Sequence, residues 1–254
     1  MKRYAVITGA SAGLGAEFAR QLARKGYPLI LIARRRERME KLAQELKTHC
    51  EIIEADLSVE EECFRVFWQI EDKPVGIFIN NAGFGACGEF SELSLERELS
   101  MIDLNVRSMH LLAKLFLRKM LKCNKGYLLN VASSAGLMPA GPYMATYYAS
   151  KAYVASLTRA IAEELREKES HVYVGCLCPG PVNTEFNQVA NVEFALKGIS
   201  ARECVRYALR QMVRRKVVII PSVTMQLAMT FGRFLPTSLY VRLAAHQQKK
   251  KFQQ

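Results

Sequence analysis

The stretch TYYASKAY, Thr146 to Tyr153, sets three phenols around one lysine. A phenol beside an ammonium is a proton-transfer device. A free tyrosine titrates near pKa ~10, and a neighbouring positive charge favours the phenolate and lowers that value. A phenol tuned in this way can exchange a proton with a substrate oxygen near neutral pH. Spacing decides which phenol does so. On a helix, residues i and i+4 share a face, so Lys151 meets Tyr147. Tyr148 is turned away by about a quarter turn and reads as packing or a pocket wall. Tyr153, two past the lysine, also misses that face. An isolated Y-x-x-x-K recurs by chance, so the reading depends on what positions the pair.

Seven short apolar runs supply the frame: YAVITG (4–9), PLILIA (28–33), CEIIEAD (50–56), VGIFIN (75–80), GYLLNVA (126–132), VYVGCLC (172–178) and VVIIP (217–221). They are rich in Val, Ile and Leu and hardly alternate with polar residues, as strands buried on both faces do. The segments between them show helical spacing; Leu14, Phe18 and Leu22 line one face. Strand and helix in alternation imply right-handed crossovers. The expected fold is α/β, a Rossmann-type doubly wound, seven-stranded parallel sheet with helices on both faces. Its ligands bind beyond the carboxyl ends of the strands. No repeat, linker or composition break divides the chain, so residues 1–254 are expected to form a single domain.

After the first strand comes TGASAGLG. Gly9 permits a tight turn, Gly13 lets the backbone approach a pyrophosphate, and Gly15 lets the helix pack closely on the sheet. The helix N-terminus then presents free N–H groups to phosphate. Proteins that prefer NAD carry Asp or Glu at the end of the second strand. Here the sequence is LIARRRER, with Ala33 at that position and Arg34 next. A guanidinium suits a 2′-phosphate, and no carboxylate is expected there to repel it. NADP(H) is the expected cofactor. Arg35 and Arg36 read equally well as an exposed basic helix start.

Half of the residues are apolar, yet no apolar run reaches the ~18–20 residues that span a bilayer. The opening MKRYAVITGASAGLG mimics a signal peptide, but its apolar part is short, broken by glycine and followed at once by a patterned helix. A cytoplasmic protein is expected. Seven irregularly spaced cysteines without a paired C-x-x-C read as buried thiols in a reducing compartment, and no metal site is expected. The formal charge of +12 is scattered in short clusters such as Arg214-Arg215-Lys216 and Lys249-Lys250-Lys251. No basic run interleaves with aromatics, so nucleic acid is not an expected partner.

Taken together, these pieces resemble the short-chain dehydrogenase/reductase family. The matching motifs run in family order: TGASAGLG, Asp56-Leu57, NNAG at Asn80–Gly83, LN ending at Asn105, NVASSAG at Asn130–Gly136, YYASK at Tyr147–Lys151 and PGPVNTEF at Pro179–Phe186. The resemblance implies NAD(P)(H)-dependent chemistry at a carbinol or carbonyl, and a homodimer or homotetramer built on helix pairs. It implies that a serine after the fifth strand holds the substrate oxygen and that Lys151 also bonds the nicotinamide ribose. The positive charge of an oxidised nicotinamide would then help Lys151 lower the Tyr147 pKa. Asn105, in mid-helix where Asn is a weak helix former, is implied to hold a water relaying protons to Lys151. The implied cofactor-binding set is Gly9, Ser11, Gly13, Leu14, Gly15, Arg34, Asp56, Leu57, Asn81, Ala82, Gly83, Asn105, Tyr147, Lys151, Pro179, Gly180, Val182 and Thr184. Within it, Asp56 would meet the adenine amine, Asn81 and Gly83 the adenosine and ribose, and Val182 and Thr184 the nicotinamide carboxamide.

The serine is Ser133 or Ser134. The usual family gap to the tyrosine is thirteen, which points to Ser134. The pattern strand, then S-x-x-G, fits Ser133 with Gly136. The sheet fixes the strand side rigidly, whereas the loop GLMPAGPYMAT absorbs one extra residue, such as Ala140, at little cost. Ser133 is therefore the expected catalytic serine.

Leu137, Met138, Pro139, Tyr143 and Met144 follow the serine, and Phe186, Phe194 and Leu196 lie in a candidate lid over 183–200. They suggest an apolar pocket for an apolar ketone, or else core or subunit contacts. The chain is most similar to the branch of hydroxysteroid dehydrogenases and long-chain 3-oxoacyl reductases. The C-terminal extension, 222–254, is apolar and then basic. It can cover the active site, pack in an oligomer or lie on an anionic membrane surface; burial against the domain is the expectation. Two functions follow: an NADP(H)-dependent oxidoreductase, or a non-catalytic NADP(H)-binding interaction or sensor protein on the same fold. The intact serine, tyrosine, lysine and asparagine favour the enzyme.

Overall fold

The computed structural model describes residues 3–186, 198–232 and 234–252. Each of the apolar runs becomes a strand: β1 (Tyr4–Thr8), β2 (Leu29–Ala33), β3 (Cys50–Glu54), β4 (Val75–Asn80), β5 (Gly126–Val131), β6 (Val172–Leu177) and the short edge strand Val218–Ile219. They form one seven-stranded sheet in the order β3-β2-β1-β4-β5-β6 and then Val218–Ile219, all parallel. The edge strand is shorter than its apolar run because it pairs only through Cys176 with Val218 and Leu177 with Ile219, and Pro221 cannot extend the ladder.

Every residue of β2 is buried, and its side chains divide by parity. Leu29 and Leu31 enter a core with α1 (Gly13–Arg24), Met39 and Leu42 of α2 (Arg36–Glu45), and the helix Ala201–Val213. Ile30 and Ile32 enter the opposite core, with α3 (Glu60–Ile70), α5 (Met109–Lys122) and α6 (Ala145–Glu167). Fully buried side chains such as Phe18 and Phe116 contribute ~1.5–3 kcal/mol each to this three-layer arrangement. Strand order reverses between β1 and β4, which opens a crevice at their carboxyl ends.

Two local features bear on the site. α4 (Leu95–Ile102) runs into α5 through a π-helical turn, Asp103–Ser108, so Asn105 sits in a widened turn rather than in a regular helix. In the expected lid, Val182–Asn183 pairs in parallel with Ile199–Ser200 and pins both ends of the connecting segment. Phe194 and Leu196 lie outside the described residues. Beyond the edge strand, the C-terminal extension forms two helices, Val223–Gly232 and Thr237–Phe252.

Candidate active site

A cleft of about 790 Å³ opens at the carboxyl ends of the strands. All of the expected cofactor-binding residues line it except Gly15 and Asn105, which stand behind its wall. At one end lies the glycine turn. Gly9 (φ 64°) and Gly13 (φ 53°) occupy the left-handed region that glycine adopts without strain. A Cβ on Gly15 would fall 2.1 Å from the Gly9 carbonyl oxygen, so only glycine lets α1 start this close to the turn. α1 has no side-chain cap, which leaves its first N–H groups for a ligand. The side-chain amide of Asn81 donates to the carbonyl oxygens of Thr8 (2.9 Å) and Gly9 (3.4 Å), and its backbone N–H donates to Thr8 Oγ1 (2.8 Å). Asn81 thus braces the turn from the end of β4. This cradle of open N–H groups and glycine backbone fits a dinucleotide pyrophosphate.

Next along the cleft stand the cations. Arg34 Nη1 lies 3.6 Å from Asp56 Oδ2. No carboxylate stands at the end of β2 itself, but β3 pairs with β2 in register and carries Asp56 to the same rim. Partial burial pushes the Asp56 carboxyl up, but hydrogen bonds from the Ser58 hydroxyl (2.7 Å) and N–H (3.0 Å), with Arg34, outweigh it and hold the group below its ordinary value. Arg35 is more than a helix start. Its Nε and Nη2 donate to Ser11 Oγ, each at 3.3 Å, and its Nη1 donates to Glu185 Oε2 at 3.2 Å. Arg38 reaches the same carboxylate at 2.6 Å. Glu185 lies at the start of the expected lid, so these pairs span the mouth of the cleft.

The chemical end is built on β5 and α6. A buried chain of amides fixes the two against β4: Asn80 Nδ2 donates to Asn130 Oδ1 (3.2 Å), and Asn130 Nδ2 donates to Thr158 Oγ1 (3.0 Å) on α6. Lys151, buried, donates from Nζ to the Val131 carbonyl (3.0 Å) and lies 6.0 Å from the centre of the Tyr147 ring. The Ser133 hydroxyl lies close enough to Tyr147 to favour its phenolate, and its Oγ accepts from the Ala135 N–H at 3.1 Å. Ser134 also lines the cleft, and its backbone N–H donates to the Pro179 carbonyl at 2.8 Å. A Cβ on Gly136 would fall 2.2 Å from the Lys151 carbonyl oxygen, so the serine turn and α6 meet backbone to backbone.

Electrostatics correct one expectation. Burial pushes the Tyr147 phenol up to about 12, against the lowering effect of Ser133. Burial also pushes Lys151 down to about 8. In the protein alone, desolvation outweighs the lowering of the phenol that Tyr147–Lys151 spacing suggests, because it acts on both charged forms.

Asn105 is clasped by one residue. Its Nδ2 donates to the Phe84 carbonyl (2.9 Å), its Oδ1 accepts from the Phe84 N–H (3.1 Å), and Nδ2 also reaches Ser150 Oγ (3.2 Å). Its side chain is spent on this bracing, which ties the π turn to α6 and to the loop after β4.

The remaining wall is apolar. Met138, Met144 and Phe186 line it, with the Phe186 ring 5.4 Å from that of Tyr147. Leu137 instead packs into the core with α5 and α6, and Pro139 is exposed. Tyr148 lines the same cleft as Tyr147, since a quarter turn is too small to take it out of so wide a site. Its hydroxyl accepts from Gln248 Nε2 at 2.6 Å. Both C-terminal helices complete the chamber, through Met225, Met229, Tyr240 and Ala244 among others. Sequence reasoning missed Arg35, Glu185 and Gln248 as site residues. Only Arg35 carried a signal, its place beside Arg34.

The short chain dehydrogenase family model matches residues 3–194. Hydroxysteroid dehydrogenase-like protein 1 of Gallus gallus is 31% identical over 197 residues, 75% of this chain and 59% of the relative. Very-long-chain 3-oxoacyl-CoA reductase of Anas platyrhynchos is 30% identical over 200 residues, again 75% of this chain and 63% of the relative. This chain thus spans about three-fifths of the length of these two relatives. Among solved structures, the short-chain dehydrogenase from Sphingobium yanoikuyae in complex with NADPH superposes with a TM-score of 0.82 at 29% identity, covering 91% of this chain and 93% of that one. A seven-stranded sheet in Rossmann order, a glycine cradle at its switch point and this extent of likeness lead to one conclusion: the chain belongs to the short chain dehydrogenase family of NAD(P)-binding oxidoreductases.

Proposed function

We propose that the protein is an NADP(H)-dependent oxidoreductase that interconverts a ketone and a secondary alcohol on an apolar substrate, hydroxysteroid-like or 3-oxoacyl-like. The observation that carries this reading is the convergence of Ser133, Tyr147 and Lys151 on a chamber walled by methionine and aromatic side chains. Bound NADP(H) supplies or accepts the hydride. Ser133 donates its hydroxyl to the substrate oxygen, and Tyr147 exchanges the proton with it. Lys151 holds the nicotinamide ribose and, when charged, steadies the Tyr147 phenolate. Arg34, and Arg35 beside the Ser11 hydroxyl, hold the 2′-phosphate. The likeness to a hydroxysteroid dehydrogenase-like protein and a 3-oxoacyl-CoA reductase supports the substrate class. Leu95, Leu99 and Ile102 are exposed along one face of α4 and suit the contact of a homodimer or homotetramer. A cytoplasmic setting suits seven free thiols.

The test is NADPH absorbance with a panel of steroid and long-chain ketones, run beside Tyr147→Phe. Turnover that is lost in Tyr147→Phe while NADPH still binds supports the reading. NADPH binding with no turnover on any ketone would replace the enzyme with a non-catalytic NADP(H) sensor.

A further inference from the structure

The two C-terminal helices present an exposed apolar face that borders the cleft and extends beyond it. Val223, Leu227 and Phe231 follow one another at four-residue spacing along the outside of Val223–Gly232, 69%, 53% and 66% exposed. Phe234 is 83% exposed in the connection, and Leu239 and Leu243 continue the apolar surface on the next helix. Large apolar side chains in such continuity mark a contact surface.

Three observations say what covers it. First, charge: over residues 222–254 the sequence contains five Lys and Arg, namely Arg233, Arg242, Lys249, Lys250 and Lys251, and neither Asp nor Glu. Arg242 and Lys249 are exposed on the second helix, beside the apolar residues. A face that is apolar and purely basic complements an anionic bilayer, which offers acyl chains and phosphate together. Second, position: Phe231, Leu235 and Leu243 are at once exposed and part of the cleft wall. The substrate chamber therefore opens at this surface, and an apolar substrate would enter from the phase in which it dissolves. Third, length: among the described residues no helix is long and apolar enough to cross a membrane, so the geometry suits lying on a bilayer rather than spanning one.

We propose that the outer face of Val223–Gly232 and Thr237–Phe252 docks on an anionic lipid surface, with the substrate cleft facing the bilayer. The entry argument rests on the apolar substrate proposed above, but the docking is read by binding alone and stands or falls without turnover. The experiment is co-sedimentation of the whole protein with phosphatidylcholine vesicles, with and without phosphatidylserine. The expected result is binding to the anionic vesicles that weakens as salt is raised, with little to the neutral ones. Leu227→Asp with Phe234→Asp alters two exposed residues outside the cleft wall and should weaken binding roughly tenfold or more, with the melting temperature and NADPH affinity unchanged. Arg242→Glu with Lys249→Glu, the electrostatic counterpart, should do the same and serves if the first variant folds poorly. Absence of binding to anionic vesicles, or binding that both variants retain, overturns the proposal. A wild-type oligomer that dissociates in Leu227→Asp with Phe234→Asp, without vesicle binding, overturns it in favour of contact between copies of this chain.

Discussion

Replacing Lys151 by methionine should make the cofactor-free protein respond differently to pH. Lys151 is buried, and burial lowers its pKa from 10.5 to about 8. The folded state thus releases a proton that the unfolded chain still holds between those two values. Below pH 8 both states are charged, and the folded protein carries the full cost of the buried ammonium. As pH rises from 8 towards 10.5 that cost is relieved, so wild type gains stability relative to Lys151→Met. A pKa displacement of this size corresponds to ~3 kcal/mol, and about two-thirds of it, ~2 kcal/mol, is realised by pH ~9.5. The hydrogen bond to the Val131 carbonyl is lost in Lys151→Met at every pH, so it offsets the two curves without changing their slopes. The raised tyrosines, present in both proteins, cancel in the same way. Urea unfolding at pH ~7, ~8.5 and ~9.5 measures the difference. Parallel stability curves for the two proteins would refute the argument and show that Lys151 keeps an ordinary pKa in its buried place.

Other outcomes follow from the same geometry. Ser133→Ala should lower turnover roughly a hundred- to a thousandfold, the range for a lost oxyanion donor, and Ser134→Ala should change it little; steady-state rates that fall in the opposite order would reverse the assignment. Arg34→Ala and Arg35→Ala should each raise the KM for NADPH roughly ten- to a hundredfold, the loss of a charge-assisted contact, and leave NADH nearly unchanged; equal losses with both cofactors would remove these arginines from the 2′-phosphate. Tyr148→Phe breaks the hydrogen bond from Gln248, worth ~1 kcal/mol, so protease nicking within Thr237–Phe252 should quicken while kcat stays near wild type. A kcat as low as that of Tyr147→Phe would give Tyr148 a chemical role.

The sheet was legible because its strands are buried on both faces, which leaves unbroken Val-Ile-Leu runs with few competing readings. β2 illustrates this, with five buried residues from five apolar ones. Counting from the rigid end of β5 selects Ser133, whereas counting back from Tyr147 crosses a loop of variable length and selects Ser134; both serines line the cleft, and the Ser133→Ala and Ser134→Ala rates decide between them. The mouth of the cleft was not legible. Arg35 meets Glu185 across 150 residues of sequence, and no local pattern announces such a pairing. Tyr148 stands in the cleft wall, one of the two places expected of it; helical phase tells which residues share a face but not how wide the neighbouring cavity is. Asn105 read as mid-helix because the widened turn Asp103–Ser108 has no signature in residue type. The C-terminal helices are apolar on several sides, so the sequence alone could not separate the face turned to the cleft from the face turned outward.

The contact between Gly136 and the Lys151 carbonyl has a consequence for how such a protein can diversify. Ser133 lies before this contact and Tyr147 and Lys151 lie on the helix it touches, so the three proposed reacting groups are clamped at one point. The loop from Met138 to Met144, which supplies part of the substrate wall, starts and ends beyond the clamp. Insertions, deletions and changes of size in that loop can therefore reshape what the chamber accepts while the distances among serine, tyrosine and lysine stay fixed. Acceptance of new substrates and retention of the proton-transfer geometry become separable traits, and a library randomised over residues 138–144 is the place to look for altered selectivity at little cost to the chemical step.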